Sequence, residues 1–186
     1  WYPGQSGGLA LAEVLVGKIN AGGKLPVTFY KSVEDLPALD DYDISKGRAY
    51  WFYEGQVLYP FGFGLSYTSF DFSNLQISNL SPSNNEIIEV SFDLTNVGNT
   101  GGYEVTQLYI RDLESSHVQP FKRLKKFYKC FIDVGEIKKI TFELNAKDFK
   151  YWNPDLENWY LQPGQFEIQI GSSSADIHLS QTIAWQ

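Results

Sequence analysis

Four kinds of residue in this chain are of types that do chemistry. Asp40, Asp41 and Asp43 sit within four positions. Their spacing invites calcium ligation, but the loop lacks the glycine and the later glutamate of a calcium loop. It reads instead as an exposed acidic turn. His117 and His178 are the only histidines and lie far apart. No cysteine or acidic ligand pattern flanks them, and a metal site needs more donors. No metal or cofactor is expected. Cys130 is the only cysteine, set in an apparent strand, and reads as a small core residue. Gly62-Phe63-Gly64-Leu65-Ser66 is not the GxSxG elbow of a serine nucleophile. Ser172-Ser173-Ser174 follows Gly171 and reads as a turn.

Two aromatic groups remain. Arg48, Tyr50 and Trp51 combine a guanidinium with two flat rings. That set suits a saccharide, by hydrogen bonds and by stacking on the sugar's apolar face. The competing expectation is that Arg48 pairs with a carboxylate while the rings pack at a junction. Trp152, Trp159 and Trp185 fall in the C-terminal part. A coplanar exposed pair there would form a carbohydrate-binding face. The expectation is that all three fill or cap a core.

The elements that position these residues fall into two parts. Residues 1–64 read as α/β. Ser6 is placed to cap a helix from about Gly7 to Lys18. Its Leu, Val and Ala positions leave little polar face, so it should be buried on most sides. Leu25 to Tyr30 reads as a short strand, and Arg48 to Tyr53 as extended. One helix and one or two strands cannot close a core, so this part needs partners. The run Leu58 to Thr68 (LYPFGFGLSYT) follows. Pro60, Gly62 and Gly64 forbid a long helix, and Tyr59, Phe61, Phe63 and Tyr67 demand burial. Residues 65–76 are read as an aromatic, glycine-rich linker, and residues 77–186 as a β-sandwich. From about Phe70 the pattern turns to alternation, with strands expected at Phe72 to Leu80, Ile87 to Asn96, Tyr103 to Leu113, Phe121 to Val134, Ile137 to Leu144, Asn158 to Leu161, Gln165 to Gly171 and Ile177 to Trp185. About seven strands with frequent turns predict a mainly β, immunoglobulin-like sandwich behind an incomplete α/β segment.

Composition sets bounds. The chain has 186 residues, 43% of them hydrophobic, which fits a globular protein. Its net charge of −7 argues against nucleic acid as a partner. The cluster Lys122, Arg123, Lys125, Lys126 and Lys129 reads as a local solvated face. No stretch is long and apolar enough to predict a membrane-spanning helix.

Several segments, in order, resemble glycoside hydrolase family 3, the β-glucosidases and β-xylosidases. Pro3 to Gly8 resembles its PGQxGG turn, Leu11 to Gly17 the following helix, and Gly23 to Phe29 its GKLPVTF strand. Gly47 to Phe52 resembles GRTYxxF, with Ala49 where threonine is common. Leu58 to Thr68 resembles YPFGxGLSYT, and Thr95 to Gly102 the TNTGxxxG turn of the family's fibronectin type III-like domain. The resemblance implies a C-terminal fragment, an expectation joined by the absence of methionine. It implies a parent that removes terminal non-reducing β-D-glucosyl or β-D-xylosyl residues with retention, through a covalent intermediate. The GRAYWF form leans towards the xylosidase branch. The catalytic carboxylates would lie upstream, so no catalytic residue is assigned, and the chain alone should be inactive. The implied partners are the parent's barrel and α/β domains and an oligo- or polysaccharide. The sandwich would be a brace, and the rivals are a carbohydrate-binding module and an adhesion domain. A periplasmic or secreted location fits such a parent.

Overall fold

The computed structural model describes residues 2–83 and 86–186. Trp1, at the head of the expected α/β segment, and Asn84 and Asn85, inside the expected sandwich, lie outside the described residues.

The core belongs to two facing antiparallel sheets. One has the order β11-β10-β5-β6, from β5 (Gly102–Asp112), β6 (Arg123–Ile132), β10 (Gly164–Gly171) and β11 (Ile177–Trp185). The other has the order β3-β4-β7, from β3 (Phe70–Ile77), β4 (Ile88–Asn96) and β7 (Ile137–Leu144). This is the expected sandwich. Strict alternation in β4 sends Ile88, Val90, Phe92 and Leu94 inward, each fully buried. Register Val90↔Phe142 and Phe92↔Ile140 lays β7 beside them. Ile168 of β10 meets Ile110 of β5 across the other sheet. Phe149, in the single turn α3 (Ala146–Phe149), closes one end against Trp185, with ring centroids 4.6 Å apart.

The first strand starts at Phe70 and so takes in residues that the sequence reading gave to the linker. Phe72 explains this: it is buried against Phe92, and its neighbours pair with β4.

The N-terminal part is thinner than expected. Helix α1 spans Gly7–Leu15 and buries no residue. Leu9, Leu11 and Leu15 are all more than half exposed, because nothing among the described residues packs over them. Ser6 stands at the cap position but its side chain makes no capping bond. The strand expected from Leu25 shortens to β1 (Phe29–Tyr30), paired with β2 (Val57–Tyr59). Arg48 to Tyr53 is not extended: residues Ala49–Phe52 form the helical turn α2. Between β1 and α2, Ser32 and Asp35 cap a short 3-10 turn at Val33–Asp35. Among the described residues, no helix is long and apolar enough to cross a membrane.

Candidate functional site

The LYPFGFGLSYT run is the seam between the two parts. Leu25 and the run exchange backbone bonds: Gly62 N–H donates to Leu25 O at 2.8 Å, and Leu25 N–H donates to Phe63 O at 2.8 Å. The loop then reaches the outer face of β5. Gln107, 3% exposed, donates through Nε2 to the carbonyls of Gly62 and Ser172, and its Oε1 accepts from the Tyr109 hydroxyl. Gly62 has φ +83, and a Cβ there would stand 2.2 Å from Gln107 Oε1. Only glycine fits, for both conformation and space. Burial pushes the Tyr109 phenol upward, with Tyr50 adding to it.

Polar side chains seal the seam at its other end. Asn20 Oδ1 accepts from Tyr67 N–H at 2.8 Å and from the Ser66 hydroxyl at 3.1 Å, while its Nδ2 donates to Gly101 O. Asn96, in the TNVGNTGG turn, is 1% exposed. It donates to Thr100 O and Ile132 O and accepts from Thr68 Oγ1 at 2.6 Å. Lys24 Nζ lies 2.8 Å from Glu104 Oε1, with both side chains largely buried. The two form a buried ion pair. Burial raises the Glu104 carboxyl, and Lys24 offsets part of that rise.

The three expected saccharide residues take different places. Arg48 does not pair with a carboxylate. Its Nη2 donates to the carbonyls of Ala38 and Asp41, which pins the acidic loop, while its buried Nε has no partner. Tyr50 is a junction residue. Its ring stacks on Phe61 at 4.5 Å and meets Tyr109 edge-on at 5.9 Å, and its hydroxyl accepts from Leu124 N–H. Trp51 keeps its indole N–H buried and without a partner. Together Tyr50 and Trp51 wall a cleft of about 450 Å³ whose other sides are Thr28, Tyr30 and Phe61. The Thr28 hydroxyl is also buried and unpartnered. Ala49, between Arg48 and Tyr50, is held at φ +54, a conformation that costs an alanine free energy.

The other candidates resolve as structure. Asp41 is lowered first by the backbone N–H of Asp43 and then by Lys46; Asp43 is lowered first by the Ser45 hydroxyl. Both are solvated loop acids. Ser172 donates to Asp176, and His178 Nε2 approaches the same carboxylate at 3.3 Å. The acid stands between serine and imidazole, which is the wrong order for activating a nucleophile. Among the described residues, no group of three His, Cys, Asp or Glu could hold a metal. Cys130 is buried, which raises its thiol. The basic cluster is less solvated than expected. Arg123 donates to the carbonyls of Lys150 and Phe149, and burial lowers Lys125 to about 8.

The tryptophans divide. Trp185 fills the core at 2% exposure, as expected. Trp152 and Trp159 do not. They project from a separate hairpin, β8 (Tyr151–Asn153) and β9 (Asn158–Tyr160), 52% and 58% exposed. Alternation decides this: Tyr151 and Asn153 take the inward positions. The two indoles are edge-to-face at 79°, not coplanar. Sequence reading put Gln107 and Tyr109 on one face of a strand and Asn20 in a turn, but assigned none of them to the seam. The only available signal was a glutamine inside a strongly β-patterned strand.

Comparison with known proteins adds the following. Residues 1–67 match the glycosyl hydrolase family 3 C-terminal domain, and residues 104–174 match the fibronectin type III-like domain. Thermostable beta-glucosidase B of Acetivibrio thermocellus is 41% identical over 192 residues, covering 97% of this chain and 25% of that protein. Xylan 1,4-beta-xylosidase of Xylanibacter ruminicola is 38% identical over 181 residues, covering 97% of this chain and 20% of its own length. The solved structure of a GH3 beta-glucosidase from Bifidobacterium adolescentis superposes with a TM-score of 0.90 at 30% identity, over 100% of this chain and 29% of that one. The chain thus spans a quarter or less of the length of these two curated relatives.

Proposed function

This chain belongs to glycoside hydrolase family 3, as the C-terminal part of that architecture, and from that premise we propose that it braces a retaining glycosidase. The parent removes terminal β-D-glucosyl or β-D-xylosyl residues from the non-reducing ends of oligosaccharides. Residues 1–64 are the tail of its α/β domain, and the sandwich is the brace behind it. The carrying observation is the seam. Gln107 and Tyr109 of the sandwich are buried and spent on holding Gly62 and Tyr50. A free-standing adhesion domain has no use for such a socket.

The exposed apolar face of α1 is consistent with a tail that packs on further α/β layers. The catalytic carboxylates are assigned upstream, to the parent's barrel and α/β domains, because the acids on the loop here are solvated and spent on hydrogen bonds within the loop. Of the three candidate saccharide residues, Trp51 is assigned the contact. Its indole N–H is an unspent donor on the wall of an aromatic cleft, beside a strained Ala49. Tyr50 and Arg48 position it.

The test is hydrolysis of p-nitrophenyl β-glucoside and β-xyloside by the intact parent and by this chain. The expected result is an active parent and a silent chain. In the parent, Trp51→Phe should raise KM more than it lowers kcat. Turnover by the purified chain would overturn the reading.

A further inference from the structure

The β8–β9 hairpin has two unlike faces. Its inner face is fully engaged. Tyr151 and Asn153 are 2% and 5% exposed. Asn153 Oδ1 accepts from the backbone of Asp155 at 2.9 Å and of Leu156 at 3.1 Å, which fixes the turn. Its Nδ2 lies 3.3 Å from His117 Nε2, and Tyr151 meets Tyr160 edge-on at 6.1 Å. The hairpin is therefore held from behind. Its outer face carries Trp152 opposite Trp159, in register, each more than half open to water. Two exposed indoles on an anchored hairpin are an expense that fold stability does not explain.

We infer that this outer face binds a neutral β-linked polysaccharide chain. The indoles stand 6.1 Å apart at 79°, so they form an apolar corner and not the coplanar platform named from the sequence. A pyranose laid on the open face of one ring meets the edge of the other. A flat aromatic face matches the CH-rich face of a sugar, and burying that pair removes apolar area from water. Charge excludes anionic occupants, and the exposed indole faces favour the CH-rich face of a sugar. The turn carries Asp155 and Glu157, both exposed, on a chain of net charge −7. These carboxylates repel phosphates, anionic lipids and acidic peptides, but they accept hydrogen bonds from neutral hydroxyls. The choice of β linkage rests on the glycosidase reading. A polymer held here stays close to the enzyme, which raises its local concentration.

The test is affinity electrophoresis of the 186-residue chain through gels containing soluble xylan, mixed-linkage β-glucan or starch. Xylan or β-glucan should retard it, and starch should not. Trp152→Ala and Trp159→Ala should each weaken retardation by about tenfold, as for a buried tryptophan anchor, and the double variant should abolish it. Circular dichroism and thermal melting accompany each variant. If the alanine variants unfold, the phenylalanine pair at the same positions decides. Weaker retardation in a folded Trp152→Phe/Trp159→Phe protein supports the assignment, and unchanged retardation sinks it. Absence of retardation by both β-polymers, or equal retardation by starch, also overturns it. Failure of the glycosidase reading would show elsewhere, in the parent's turnover of nitrophenyl glycosides, while the gels report on the hairpin alone.

Discussion

The N-terminal segment and the sandwich use their apolar residues in opposite ways. Helix α1 contains three leucines and a valine in nine residues and buries none of them. Strand β4, equally short, buries Ile88, Val90, Phe92 and Leu94 completely. Among the described residues, every buried apolar side chain comes from Phe72 or later. The difference is one of layers and not of hydrophobicity. Two sheets face each other in the sandwich, whereas α1, β1 and β2 have no facing layer in this chain. What holds the segment is a narrow seam and not a second layer: Asn20, Gln107, Lys24, a glycine loop and the Tyr50 ring against Tyr109.

The sharpest way to break this contrast is to delete matched apolar groups. Phe92→Ala opens a cavity beside Phe72 and Phe142 and should cost about 3–5 kcal/mol in urea unfolding. Leu11→Ala on α1 should change stability by less than about 0.5 kcal/mol. Equal losses would mean that α1 is packed after all.

Next in size is the seam. Gly62→Ala forces a side chain onto the Gln107 amide at positive φ and should cost about 1–3 kcal/mol. The loss should appear first as faster proteolysis in the acidic loop around Asp40 to Asp43, with the sandwich intact. Simultaneous loss of both parts would show that segment and sandwich unfold as one unit.

The smallest effect is a slope. Burial raises the folded-state carboxyl of Glu104 above its ordinary value of 4.5. The folded chain therefore holds that proton more tightly than the unfolded one. Its favourable contribution is complete below the unfolded value and is lost as pH rises through the folded one. Melting temperature against pH should therefore fall in this window for the native chain relative to Glu104→Gln. A relative rise would mean that the Lys24 contact outweighs burial.

Much of this was legible beforehand. The alternation in Ile87 to Asn96 and Ile137 to Leu144 gave strands within a residue of those found. That pattern is local, since period-two burial is written in consecutive residues. The junction loop was legible from Gly62 and its aromatic neighbours. That the Tyr50 ring packs at a junction was one of two expectations, but which residues it meets there was not legible. Its partners Phe61, Tyr109 and Leu124 are 11, 59 and 74 positions away. The first strand was placed late because Phe70 and Asp71 look like linker until β4 lies beside them.

Sequence by itself determined the sandwich, its turns, the glycine seam and the family, because each is encoded in short-range pattern or in ordered motifs. Tertiary structure alone decided which tryptophans see solvent, that Arg48 and Trp51 but not Tyr50 keep a buried donor without a partner, and that Lys24 meets Glu104. These depend on which face of one element meets another, and burial and hydrogen-bond partners are set across the chain, not along it.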